Sequence, residues 1–239
     1  MALVRKIIAQ STVDGQGNRT AIFLQGCNIR CAYCHNPETQ AMHDPEAREM
    51  SVAEVMDEVR KGIPFIRGIT VSGGECMLQI DFLTALFKAV KELAIETNHP
   101  LTCLIDSNGT IPFSAYPELM KVCDGVMLDI KAWEAGVYHQ LTQAKDNEVV
   151  KQNFVWLLTH NLLTEVRIVC LPDRVDIENI LRHIAEIFDS IGKNVPVRLL
   201  RFRPHGVVGE LANHPMPSDN QMAKYAEIAR SLHLPFSIK

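Results

Sequence analysis

No run of eighteen apolar residues occurs in the chain, which excludes an ordinary membrane-spanning helix. The opening stretch, MALVRKIIAQSTVDGQG, lacks the apolar core of a signal peptide, so the sequence reads as that of a cytoplasmic protein. Positive charge is not in excess. With 24 Lys and Arg against 28 Asp and Glu, the net charge is −4 and the pI about 6.1. That balance argues against a general binder of nucleic acid or of anionic membranes. Linkers, low-complexity tracts and repeats are missing too, so one domain over 1–239 is the expectation. No Ser–His–Asp arrangement is recognisable. Finally, beyond residue 34 there is no second closely spaced cysteine pair.

What is present is a soluble composition, 47% hydrophobic and 22% charged, long enough to bury a core without disulfides. Apolar strand-like runs alternate with segments of helical period. The runs are 20–26, 68–74, 101–109, 125–131, 164–172 and 195–202, and FSIK closes the chain. Ser51 and Glu54 form a capping box for one helix. A second helix spans 81–94 from Asp81, and a third covers about 149–160. Asp176 opens another, and Ser218 with Gln221 the last. Six strand–helix units with continuously apolar strands imply an α/β fold with a parallel sheet, open or barrel-like. Cys27, Glu75, Asp106, Asp129 and His205 all fall just after strands, where a barrel of this kind carries its active site.

Residues 26–37, GCNIRCAYCHNP, put Cys27, Cys31 and Cys34 within eight positions. In a reducing compartment seven cysteines read as metal-binding or buried rather than bridged. Thiolates suit zinc or iron–sulfur clusters. His35 could complete a four-ligand zinc site, whereas a 4Fe–4S cluster held by three cysteines keeps one iron open for a substrate or cofactor. Ser72-Gly73-Gly74-Glu75 is a glycine turn whose backbone can approach a ligand, with Glu75 an acceptor for an ammonium group.

The CxxxCxxC spacing, with Tyr33 before the last cysteine, resembles the cluster loop of radical S-adenosylmethionine (radical SAM) enzymes. Further segments narrow the resemblance to the activating enzymes of glycyl-radical enzymes, the pyruvate formate-lyase activase group. Val13-Asp14-Gly15-Gln16-Gly17 is similar to that group's DGPG turn, with glutamine for proline, and Cys34-His35-Asn36-Pro37 matches its CHN continuation. Asp106-Ser107-Asn108-Gly109 and Met127-Leu128-Asp129-Ile130-Lys131 resemble its segments after the third and fourth strands. Arg167 and His205 stand where the group has a strand-five arginine and a strand-six histidine.

The resemblance implies a partial (β/α)6 TIM-like barrel of the radical SAM type. It implies Cys27, Cys31 and Cys34 as ligands of a 4Fe–4S cluster, with SAM as the fourth-site ligand. Tyr33, Gly73, Gly74, Glu75, Asp106, Ser107, Asp129, Lys131 and His205 would hold SAM. Asp106, Ser107, the Met127 carbonyl and Asp129 would hold a monovalent cation. Asp14 and Arg167 would meet the incoming peptide of a partner glycyl-radical enzyme, whose glycine loses a hydrogen atom. An external carrier, flavodoxin or ferredoxin, would supply the electron, and the chain is expected to act as a monomer. The wording TVSGGE, LDIKAW and RFRPHG is most similar to the YjjW branch. That branch commonly carries a ferredoxin-like insert, but only ETQAMHDPEARE lies between Pro37 and Met50, so no auxiliary cluster is expected. Two rival readings remain: a small-molecule radical SAM enzyme such as a deazapurine-forming synthase, and a non-catalytic metal-binding module. Cys76 reads as a small buried thiol and His214 as a solvated loop residue.

Overall fold

A computed structural model describes all residues, Met1–Lys239. The chain divides into two compact units. The first comprises Met1–Asn28, Glu38–Ser107 and Phe113–Met127. Its strands are β1 (Ala2–Ser11), β2 (Arg19–Leu24), β3 (Arg48–Met50), β4 (Gly68–Gly73), β5 (Thr102–Ser107) and the start of β6 (Gly125–Asp129), in the order β3-β1-β2-β4-β5-β6. β2, β4 and β5 are mutually parallel, with Thr20 opposite Ile69 and Ile69 opposite Cys103. Arg19–Ile22, Gly68–Val71 and Cys103–Ile105 are each buried as continuous runs, as the sequence reading requires of a covered parallel sheet.

The helices of this unit are α1 (Val52–Gly62), α2 (Ile80–Glu96) and the single turn α3 (Pro117–Met120). The Ser51–Glu54 capping box is present at α1, each residue's side chain bonding the other's backbone N–H. α2 starts differently from expectation. A 3-10 turn over Cys76–Gln79 runs directly into it, and the side chain of Glu75 caps that turn by accepting from Met77 N. Asp81 therefore falls in the first turn of α2 instead of capping it, where its charge still complements the exposed N–H groups. Two antiparallel additions, β1 on β2 and β3 on β1, were not expected. β1 carries Arg5 and Lys6 and shifts register between Val4 and Lys6, so it shows no clean alternation.

The second unit comprises Ile29–Pro37, Asn108–Pro112 and Leu128–Lys239. It contains α4 (Ala135–Thr142), α5 (Glu148–Thr159), β7 (Leu163–Cys170), α6 (Ile177–Ile191), β8 (Val197–Arg201), α7 (Asp219–Ser231) and β9 (Phe236–Ile238). β7, β8 and β9 are parallel neighbours. Asp176 caps α6 by accepting from Asn179 N, and Ser218 forms a box with Gln221 at α7. α6 buries Ile177, Ile180, Leu181, Ile184 and Phe188 along one stripe, and Phe188 meets Phe154 of α5 at 5.8 Å. The unit boundary falls inside β6, after Met127.

Candidate active site

Cys27 follows β2 in the first unit, buried, with its N–H donating to Gln40 O. Cys31 and Cys34 lie in the second unit on a half-buried loop, where Cys34 N donates to Cys31 O at 3.2 Å. That loop is held by backbone alone at two points: Arg30 N donates to Thr142 O and Ala32 N to Leu141 O, at 2.7 and 2.8 Å. No disulfide involves any of the seven cysteines. The two soft donors on this anchored loop, like the thiol of Cys27 in the first unit, have the donor chemistry that iron–sulfur clusters take.

In the first unit the ends of β4 and β5 are cross-linked through side chains. Ser72 Oγ donates to Asp106 Oδ2 at 3.0 Å, and Ser107 Oγ donates to Glu75 Oε1 at 2.8 Å. Glu75 is only 1% exposed and also accepts from Met77 N. A carboxylate is acceptor-only, so burying it among N–H and O–H donors fixes its position. Gly73, Gly74, Glu75, Asp106 and Ser107 are thus brought together. Cys76 packs beneath them, and burial with the nearby Glu75 and Asp106 charges pushes its thiol well above the usual range.

The two glycines are required by the chain's own backbone. A Cβ on Gly73, where φ is +117°, would stand 2.1 Å from Leu24 O, and one on Gly74 2.2 Å from Gly26 O. Gly74 N donates to Leu24 O and Glu75 N to Gly26 O, which sets the GGE turn directly on the segment leading to Cys27. Gly73→Ala is expected to cost about 3 kcal/mol from overpacking and left-handed strain together. Urea unfolding measures this, and a variant with the parent midpoint would contradict the packing described.

The second unit assembles the remaining residues around the cysteine loop. Lys131 Nζ lies 2.9 Å from Asp129 Oδ2 and 5.8 Å from the centre of the Tyr33 ring. Burial pulls the Lys131 pKa down, but Asp129, Cys31 and Tyr33 more than offset this, and the ammonium is held above its ordinary value. Burial also raises Tyr33, so its ring is a neutral phenol against the cation. Ile130 N donates to Arg167 O, tying this segment to β7. Arg167 Nε bonds Glu165 Oε1 at 2.8 Å, and Glu165, itself buried, also takes Arg198 at 2.5 Å. His205 is exposed on the loop after β8. That loop sits on the cysteine loop: His35 Nε2 is 2.9 Å from Arg203 O, and a Cβ on Gly206 would meet His35 O at 2.7 Å. The His35 ring stacks on Phe202, which meets His214 edge-on, so His214 packs on an aromatic ring rather than standing alone.

Asp14 is half-buried on the turn between β1 and β2 and accepts from Ser11 Oγ. The same turn shows what sequence reasoning missed. Arg19, the first residue of β2, is 1% exposed. The only signal for it is a charged residue opening an otherwise apolar strand.

The model of the radical SAM superfamily matches residues 21–184. A Haemophilus influenzae protein provisionally named as a glycyl-radical enzyme activating enzyme is 34% identical, over 87% of this chain and 84% of its own. The pyruvate formate-lyase-activating enzyme of Streptococcus mutans is 35% identical, over 87% of this chain and 79% of its own. Among solved structures, a radical SAM methyltransferase from Sphaerobacter thermophilus aligns with TM-score 0.69 at 12% identity. It covers all of this chain and 77% of that one, a likeness of fold.

Proposed function

Since the chain belongs to the radical SAM superfamily and, within it, to the glycyl-radical-enzyme activating enzymes, we propose that its substrate is the glycine loop of a partner glycyl-radical enzyme. As a radical SAM enzyme it works with a 4Fe–4S cluster and SAM. When bound, these supply a one-electron cleavage of the sulfonium and the hydrogen-abstracting power that follows. The chain's own residues bind and orient. Cys27, Cys31 and Cys34 hold the cluster. Glu75 accepts the SAM ammonium, with Gly73 and Gly74 giving it access to the backbone. Tyr33, Lys131 and His205 flank the cofactor. Asp106, Ser107, the Met127 carbonyl and Asp129 provide oxygen donors for SAM and for a monovalent cation. Asp14 and Arg167 receive the partner's peptide. An external carrier, flavodoxin or ferredoxin, delivers the electron, and the chain acts as one cytoplasmic, monomeric domain.

The observation that carries this reading is the junction at Lys131, which ties the Asp129–Lys131 segment to the Tyr33 ring of the cysteine loop through one buried cation. The test uses anaerobically reconstituted protein with reductant, SAM and a glycyl-radical enzyme. About four iron and four sulfide per chain are expected, with 5′-deoxyadenosine formed and a glycyl radical signal growing in the partner. Deoxyadenosine without a partner radical points to a small metabolite as substrate. A colourless protein holding one zinc removes the reading altogether.

A further inference from the structure

Arg19 is a fully buried cation, and every one of its acceptors is neutral. Nε donates to Thr70 Oγ1 at 2.8 Å, Nη1 to Gln16 O at 3.3 Å and Thr102 Oγ1 at 3.0 Å, and Nη2 to Ile69 O at 2.6 Å and Thr102 O at 2.8 Å. A guanidinium carries five N–H donors, and all five are used. Burial lowers its pKa to about 10, which still leaves the charge in place at neutral pH. Burying an ion whose direct partners are all neutral is costly, and the nearby Asp124 charge offsets only part of that cost. An apolar residue would serve a strand start as well, so the energy is spent on what the five bonds hold.

One of the five, to the Gln16 carbonyl, and a second, acting through Thr70, hold the turn that carries Asp14, and the other three tie Arg19 to β4 and β5. Arg19 grips the Gln16 carbonyl. Thr70, fixed by Arg19 Nε, donates its own hydroxyl to the Asp14 carbonyl at 2.6 Å. Gly15, at φ +117°, lies so close that a Cβ would meet Arg19 Cδ at 3.1 Å and Leu104 Cδ1 at 3.0 Å. The backbone of 14–16 is therefore nailed to β4 and β5 from below. Above it, Val13 and Gln16 stand exposed to solvent. Side-chain bonds to the carbonyls of Asp14 and Gln16 hold the turn on either side of Gly15.

We propose that Arg19 is a positioning residue, whose buried guanidinium fixes the Asp14 turn in the conformation that meets the partner enzyme. The proposal rests on the reading of Asp14 as a partner contact. Lysine at position 19 keeps the charge but offers three donors from a single point, so it cannot span the turn and both strands.

The experiment compares Arg19→Lys, Thr70→Val and Asp14→Asn in the full-length reconstituted enzyme. Thr70→Val is nearly isosteric and keeps the arginine, which guards against an Arg19 variant that fails to fold. Readouts are amide exchange at 12–17, KM and kcat for the partner enzyme, and deoxyadenosine formation without partner. Expected are faster exchange at the turn in Arg19→Lys and Thr70→Val, and KM for the partner raised roughly tenfold and threefold. Partner kcat and partner-free SAM cleavage should hold. Unchanged exchange at 12–17 in both variants overturns the proposal. So does a uniform loss of SAM cleavage with no KM shift, which is the mark of a merely structural residue. If Asp14→Asn raises KM but the loosened Arg19 and Thr70 variants do not, Arg19 alone is refuted. If none of the three moves KM, the Asp14 reading falls and takes the proposal with it.

Discussion

Cys31→Ala is expected to abolish reductive SAM cleavage while leaving the fold intact. The two halves of that outcome have separate causes. Cys31 is one of three thiols within eight residues, and a cluster already short of one protein ligand has none to spare. Iron content should fall far below the parent's, and deoxyadenosine formation by roughly three orders of magnitude or more. The loop does not depend on the thiol for its path. Its anchors are the main-chain bonds of Arg30 and Ala32 to Thr142 and Leu141, and Cys31 is only half-buried, so truncation leaves little cavity. The far-ultraviolet spectrum and urea midpoint of the metal-free variant should match those of the metal-free parent. Iron binding and turnover at parental levels would show that the three-cysteine loop is not the cofactor site, and a collapsed fold would show that the thiol is structural. Arg19→Lys bears on a different step, since it is expected to spare SAM cleavage and weaken only the encounter with the partner.

Local chemistry is what the sequence made readable. Capping boxes at Ser51 and Ser218 and the cap at Asp176 involve residues three positions apart, and each helix they open is where the pattern puts it. The α/β architecture follows from apolar runs and polar strand ends, its radical SAM type from the resemblance of the cysteine and glycine segments, and the fold likeness to a radical SAM methyltransferase agrees with both. Gly73 and Gly74 were recognisable as necessary glycines, but sequence could not say that the close neighbour would be the main chain at Leu24 and Gly26 rather than a ligand. β1 escaped because a bulge and two basic residues break its alternation. Arg19 escaped for a stronger reason. Its bonds reach residues 51 and 83 positions away, and no local pattern reports which strand starts will converge on one guanidinium. Such long-range polar networks become legible only when the sheet is assembled.

Raising the pH from 8 to 10 is expected to destabilise the protein by roughly 5 kcal/mol, through four cysteines outside the cofactor loop. Burial raises the thiols of Cys76, Cys103, Cys123 and Cys170. Cys123 and Cys170 are pushed up to about 12, from an ordinary value of 9.0. Above pH 9 the unfolded chain loses these four protons while the folded chain keeps them. The unfolded state then binds fewer protons, so stability falls as pH rises, and it is fully present only below the unfolded value. Each thiol that stays protonated inside the fold contributes a little over about 1 kcal/mol of loss at pH 10. Arg19 acts in the opposite sense, because its folded value is depressed to about 10, but it begins to matter only at the top of this window. A loss of that size is comparable to the whole stability of many domains. Urea midpoints of the metal-free protein, measured under reductant at pH 8, 9 and 10, should drop steeply in the last interval. Cys170→Ala should start from a lower midpoint because of its cavity, yet show a slope against pH about a quarter shallower. A parent midpoint that does not change between pH 8 and 10 would mean that these thiols ionise as easily inside the fold as outside it, and that the core beneath the Glu75 turn is open to water.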